Sequence, residues 1–136
     1  MAETVHLEVV TRSRRVLSVD ADFVELPGVL GALGVLPGHT PLLTALGIGE
    51  LMYRRDHGEE YLAVQGGFAE ILPDRVTVLA EGAEEPGEID VEAARREREE
   101  AEAAMRTADA AELDRLRAKL QLAVTRLQVA TRAGRG

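Results

Sequence analysis

The sequence contains no cysteine and no tryptophan, and only two phenylalanines and two tyrosines in 136 residues. Without cysteine there is no disulfide, no thiolate nucleophile and no zinc ribbon, and the chain suits a reducing compartment. So few aromatic rings offer little to stack on nucleobases or sugars. A formal net charge of −8 argues in the same direction, because binding a nucleic-acid backbone needs clustered Lys and Arg that release counterions. No apolar run approaches the roughly 20 residues that span a bilayer. The opening Met1-Ala2-Glu3-Thr4 carries an acid at once and leads straight into a strand pattern, so no secretory leader is expected. The expectation is a soluble chain, with membrane association only through other proteins.

Chemistry-bearing patterns are equally sparse. His6, His39 and His57 show no HxxxH, HxH or HExxH spacing, so no metal site is expected. A hydrolytic triad would have to use Ser13 or Ser18, both placed near an expected turn, and no GxSxG elbow is present. Gly47-Ile48-Gly49 is followed by Glu50, Leu51 and Met52, which completes neither GxGxxG nor a P-loop. Of the adjacent acids, Glu84-Glu85 falls in an expected linker and Glu99-Glu100 on a solvated helix face, where nothing splits their pKa values. No catalytic residue and no cofactor are expected.

What is present is patterned. Residues 1–88 hold 15 acids against 6 Arg, whereas residues 89–136 hold 9 acids against 10 basic residues, which marks two parts with different surfaces. Val5, Leu7 and Val9 alternate with His6 and Glu8, the period of a half-buried strand. Short runs follow at Val16 to Val19, Phe23 to Leu26 and Leu33 to Leu36. Leu51 to Arg55 and Glu60 to Gln65 flank Asp56-His57-Gly58-Glu59, a hairpin in which Gly58 is expected to take positive φ. Phe68 to Leu72 and Arg75 to Ala80 form another hairpin about Pro73-Asp74. The fold class expected is an all-β sandwich of about ten short strands. Within it, Gly31 to Leu46 sets glycines and prolines among apolar residues, as a tight backbone corner requires.

Beyond a linker at Glu81 to Glu88 the period changes. Asp90 is placed to cap a helix through Ala93, Ala94, Ala101, Ala104 and Met105, and Asp109 with Glu112 opens a second. Leu113, Leu116, Leu120, Ala123 and Leu127 draw one seam at spacings of three and four. The break near Thr107-Ala108 predicts an antiparallel α-helical hairpin. Its alanine-rich first helix buries little area, so at roughly 25 cal/mol per Å² the hairpin should dock weakly. The expected domains are 1–86, the sandwich, and 87–136, the hairpin.

Leu33-Gly34-Val35-Leu36-Pro37-Gly38-His39-Thr40-Pro41-Leu42-Leu43-Thr44-Ala45-Leu46, Gly66-Gly67-Phe68-Ala69-Glu70, Val76-Thr77-Val78-Leu79-Ala80 and Ile89-Asp90 before two helices closely resemble the epsilon subunit of bacterial rotary ATP synthase. The resemblance covers essentially the whole chain. It implies a non-catalytic rotor subunit at the cytoplasmic face of the bacterial plasma membrane. The sandwich would sit on gamma and the polar loops of the c-ring, coupling proton flow to ATP synthesis. The hairpin would be folded in one state and in another extend toward the alpha and beta subunits, inhibiting ATP hydrolysis.

On that reading Leu30, Ala32 and His39 are the contact candidates toward the c-ring and gamma. Leu30 and Ala32 stand where relatives often have acids, which implies an apolar contact. Arg115, Arg117, Lys119 and Arg126 are candidates for an acidic segment of the beta subunit. Some relatives bind ATP through a motif of which Glu84, Ile89, Asp90 and Ala94 are matched here. Ala93 replaces its first arginine and Glu100 a later one, leaving Arg96 as the stand-in, so weak or no ATP binding is expected. The alternative readings are an ATP-sensing module and a free-standing adaptor.

Overall fold

The computed structural model describes residues 3–135. Among these, seven strands run β1 (Val5–Val10), β2 (Arg15–Ala21), β3 (Phe23–Gly28), β4 (Gly31–Val35), β5 (Leu42–Arg55), β6 (Gly58–Leu72) and β7 (Arg75–Glu84). A 3-10 turn at Pro86–Glu88 leads to α1 (Val91–Met105) and α2 (Ala110–Arg132). The strands form one hydrogen-bonded sheet in the order β2-β1-β7-β6-β5-β3-β4. Every neighbouring pair is antiparallel except β1 with β7.

The sandwich with a helical hairpin is the expected class, but it needs fewer strands because β5 and β6 are continuous over 14 and 15 residues. Glycines read from sequence as breaks are bends inside those strands. In β6 the inward residues are Leu62 and Val64, then Ala69 and Ile71; in β5, Leu46, then Leu51 and Tyr53; in β7, Val76, Val78 and Ala80, then Ala83. Each strand thus changes which alternate residues face inward, and it does so with the pairing registers unshifted, so the three strands turn over together. The changes fall at Gly47 to Gly49, at Gly66-Gly67 and at Gly82, which the registers Leu46↔Gly67, Ile48↔Gln65 and Gln65↔Gly82 bring side by side. This aligned corner folds the sheet over, so that Val5, Leu7 and Val9 of β1 share one core with Val24 and Leu26 of β3.

Two local expectations are corrected. Arg55 pairs with Gly58, so the β5–β6 turn has two central residues, Asp56 and His57, with φ of 52° and 66°. Positive φ at both positions is what a type I′ turn demands, and Gly58 lies already in the strand. The expected linker also begins later: Glu81 to Glu84 belong to β7, where Gly82, Ala83 and Glu84 pair with Gln65, Val64 and Ala63.

The helices begin as expected. Asp90 accepts a hydrogen bond from the Ala93 amide at 3.0 Å, and Asp109 from the Glu112 amide at 2.9 Å, the N-cap geometry that holds a first turn. The predicted seam is only part of α2's contact. Leu116 and Ala123 are buried, Leu113, Leu120 and Leu127 half-buried, and a second stripe of Thr125, Val129 and Ala130 is buried as well. The C-terminal half of α2 therefore packs on both α1 and the sandwich.

Candidate functional site

Large apolar side chains that a folded sandwich leaves in water are the first feature to explain. Phe68 pairs with Ala45 on one side and with Leu79 on the other, and Leu79 pairs in turn with Val10. Directly paired residues face the same side of a sheet, so this row crosses four strands on one face. Leu43, two residues before Ala45, extends it. Leu43, Phe68 and Leu79 are 70%, 56% and 58% exposed. Contiguous apolar surface of this kind marks a docking face. The sequence carried the residues openly; only the strand register reveals that they are outward and adjacent.

The candidates Leu30, Ala32 and His39 occupy two places. Val29-Leu30 forms the turn between β3 and β4, with Leu30 fully exposed at 101% and Val29 at 60%. Ala32 is exposed on β4 close by. His39 lies past the opposite end of β4, in a loop tied by the Gly38 amide to the Pro73 carbonyl at 2.7 Å and by the His39 amide to Leu36 at 3.2 Å. Its Nδ1 donates to the Thr40 carbonyl at 2.6 Å when that nitrogen carries the proton. Leu30 and Ala32 share a tip; His39 keeps company instead with exposed Leu36 and Leu42.

The hairpin touches the sandwich through a small apolar cluster and a set of polar ties. Ala63 of β6 meets Ile89, Val129 and Ala130, with Tyr61 and Val91 packed alongside. This cluster is separate from the main core. Arg126 Nε donates to Glu84 Oε1 at 2.6 Å and its Nη1 to Glu97 Oε2 at 3.4 Å. Arg132 reaches both carboxylate oxygens of Glu50 at 3.2 and 3.3 Å and stacks its guanidinium 4.7 Å over the Tyr61 ring. Gln121 Nε2 donates to the Ile48 carbonyl at 2.8 Å. Arg135 also donates to the Pro86 carbonyl. At the junction, Arg14 grips Glu88 at 2.8 Å while the Glu85 amide donates to the same carboxylate. The Arg14 guanidinium, then the Glu85 amide, hold the Glu88 carboxyl below its ordinary pKa.

The four basic candidates on α2 are divided by this arrangement. Arg115, Arg117 and Lys119 are exposed on its first half, with Arg117 3.6 Å from Asp114. Arg126 is half-buried against the sandwich. The two nucleotide candidates are engaged locally, Glu84 by Arg126 and Asp90 by the Ala93 amide. A groove of about 320 Å³ beside Glu84 sets Arg12, Arg14 and Arg126 near Glu81 and Glu84, with Arg126 already tied to Glu84 and Arg14 to Glu88.

A β-sandwich carrying a helical hairpin and an outward apolar face defines a docking subunit of a larger assembly. Residues 4–86 match the family described as ATP synthase, Delta/Epsilon chain, beta-sandwich domain. Among full-length relatives, the ATP synthase epsilon chain of Syntrophobacter fumaroxidans is 50% identical, covering 96% of this chain and 98% of that one. ATP synthase epsilon chain 2 of Syntrophotalea carbinolica is 47% identical with complete coverage of both. The fold matches a chain in the Euglena gracilis mitochondrial ATP synthase with a TM-score of 0.81 at 23% identity, over 94% of this chain and 81% of that one. The chain belongs to the epsilon-chain family of ATP synthase, as a subunit distinct from the catalytic one. Among the described residues no helix is long and apolar enough to cross a membrane.

Proposed function

We propose that this chain works in the central stalk of a proton-translocating ATP synthase at the cytoplasmic face of the bacterial plasma membrane. Residues 1–86 attach to the rotor and residues 87–136 regulate it. The observation that carries the reading is the row Leu43, Phe68 and Leu79, apolar surface on an otherwise complete sandwich. We assign this row to the gamma subunit and the Leu30–Ala32 tip, with His39, to the c-ring side. A tip of Val29, Leu30 and Ala32 offers no charge, so its contact should respond weakly to ionic strength. Co-purification with gamma and c subunits from membranes tests the assignment. Loss of the complex on substituting the row, with the fold intact, is the expected result; an undiminished complex refutes it.

The hairpin is proposed to be the inhibitory element. Its apolar cluster is small and separate from the main core, and most of its ties are ionic or polar, so release leaves the sandwich whole. Arg115, Arg117 and Lys119 are then ready for an acidic surface on the beta subunit, and Arg126 joins them only on release. Charge reversal of all four should relieve inhibition of ATP hydrolysis. ATP binding is proposed to be weak or absent, since Ala93 and Glu100 add no positive charge and Arg126 already holds Glu84; calorimetry showing micromolar affinity would reverse this.

A further inference from the structure

The outer face of the β1–β2 hairpin carries an Asp–His–Ser relay. His6 Nδ1 lies 2.9 Å from Asp20 Oδ1, and His6 Nε2 lies 3.1 Å from Ser18 Oγ. With the Nδ1 proton donated to Asp20, Nε2 accepts the Ser18 hydroxyl proton, which is the wiring of an activated serine. Ser18 is not near a turn, as its sequence neighbourhood suggested, but in the middle of β2.

The strand register creates this set. The His6 amide donates to the Asp74 carbonyl at 2.9 Å, so the even-numbered residues of β1 turn their main-chain groups toward β7 and the odd-numbered ones toward β2. The pairs His6↔Asp20 and Glu8↔Ser18 are therefore the non-hydrogen-bonded ones, where facing side chains come closest. By the same alternation Ser18 and Asp20 aim their amide N–H groups off the sheet, because β2 is its terminal strand. The Ser18 amide, unused by the ladder, lies beside its own Oγ as a donor for a developing oxyanion. Access is open: Ser18 is exposed, and the His6 and Asp20 side chains are 33% and 69% exposed.

We propose that Ser18 is a reactive acyl acceptor, modified by activated acyl esters. Ser18 Oγ attacks the acyl carbon, and its proton passes to His6 Nε2 while Asp20 remains a carboxylate. The new ester bond forms as the bond to the leaving oxygen breaks, and the proton on His6 goes to that oxygen or to water. The relay stands open to solvent and one amide serves it, so the donors are restricted to esters with a good leaving group. The relay lies on the same outward face of β1 as Val10, two residue pairs beyond the end of the apolar row, and its chemistry uses no residue of that row.

The test treats the full-length chain with p-nitrophenyl acetate and maps acetylated peptides by mass spectrometry over time. Ser13 is the internal reference, an exposed serine whose hydroxyl meets Thr11 Oγ1 at 3.3 Å and, among the described residues, no imidazole. Ser18 should acetylate at least tenfold faster than Ser13. His6→Gln should slow it at least tenfold and Asp20→Asn several-fold, each variant first shown to be folded by circular dichroism. If His6→Gln does not fold, the exposed Asp20→Asn change decides alone. Ser18 labelled no faster than Ser13, a rate indifferent to these changes, or acetyl found only on the N-terminal amine and Lys119 would overturn the proposal.

Discussion

Arg126 Nε lies 2.6 Å from Glu84 Oε1, which joins the second helix to the last residue of the last strand. The same guanidinium reaches Glu97 of the first helix, so one side chain ties three elements. Both partners of the shorter pair are about three-quarters covered, at 25% and 29% side-chain exposure. A charge-assisted bond with that much cover is worth about 1.5 to 3 kcal/mol. Replacing Arg126 with Ala should therefore raise hydrogen exchange in the second half of α2 by roughly one to two orders of magnitude. The strands should exchange as before. Equal acceleration in both would mean that the hairpin is not a separate unit.

Salt should act in the same direction. Arg132 and both partners of the Arg14–Glu88 pair are substantially exposed, and raising the salt from physiological to 1 M shortens the Debye length from about 8 to about 3 Å. Limited proteolysis should then cut α2 more readily at high salt, while the sandwich fragment persists. Protection that grows with salt would show the apolar cluster to dominate the docking.

Acid should loosen the junction. The folded-state pKa of Glu88 is depressed, chiefly by Arg14 and then by the Glu85 amide. The group's contribution is present above the unfolded carboxylate value of about 4.3 and is lost as pH falls through the lower folded value. Glu88→Gln should flatten the part of the stability profile that lies below the unfolded carboxylate value of about 4.3, read by thermal melts across the acid range. A profile identical to the parent's would remove Glu88 from the account.

At the sheet corner, Gly67 and Gly47 make opposite predictions. A Cβ on Gly67 would lie 2.1 Å from the Leu79 carbonyl oxygen at a φ of 114°, whereas one on Gly47 meets nothing within 4 Å. Gly67→Ala should cost at least about 2 kcal/mol, while Gly47→Ala should be neutral or gain up to about 1 kcal/mol. Urea denaturation of the two variants measures both. Similar stabilities would show that the corner does not depend on Gly67.

On the outer row, Leu79→Asp should leave the melting temperature of the isolated chain nearly unchanged, since a surface substitution usually moves stability by no more than about 0.5 kcal/mol. It should abolish retention of gamma in a pull-down. A large fall in stability would instead make Leu79 part of the core.

The sequence by itself determined the class of fold, the helix starts at Asp90 and Asp109, and the family, because these rest on local information: alternation of period two, caps, and an unbroken motif from Leu33 to Leu46. Tertiary structure decided what depends on pairing between distant residues. Gly47, Gly66-Gly67 and Gly82 are each only a glycine locally, and they become one corner because the registers align them. Phe68 and Leu79 are locally only apolar residues in strand runs, and the change of face at the Gly66-Gly67 corner decides that they point outward. Arg126 looked like one of four surface cations on α2, and its separate place follows from Glu84 being strand rather than linker. His6, Ser18 and Asp20 read as scattered polar residues, because no local spacing records that an antiparallel register sets a non-hydrogen-bonded pair within reach of its neighbour.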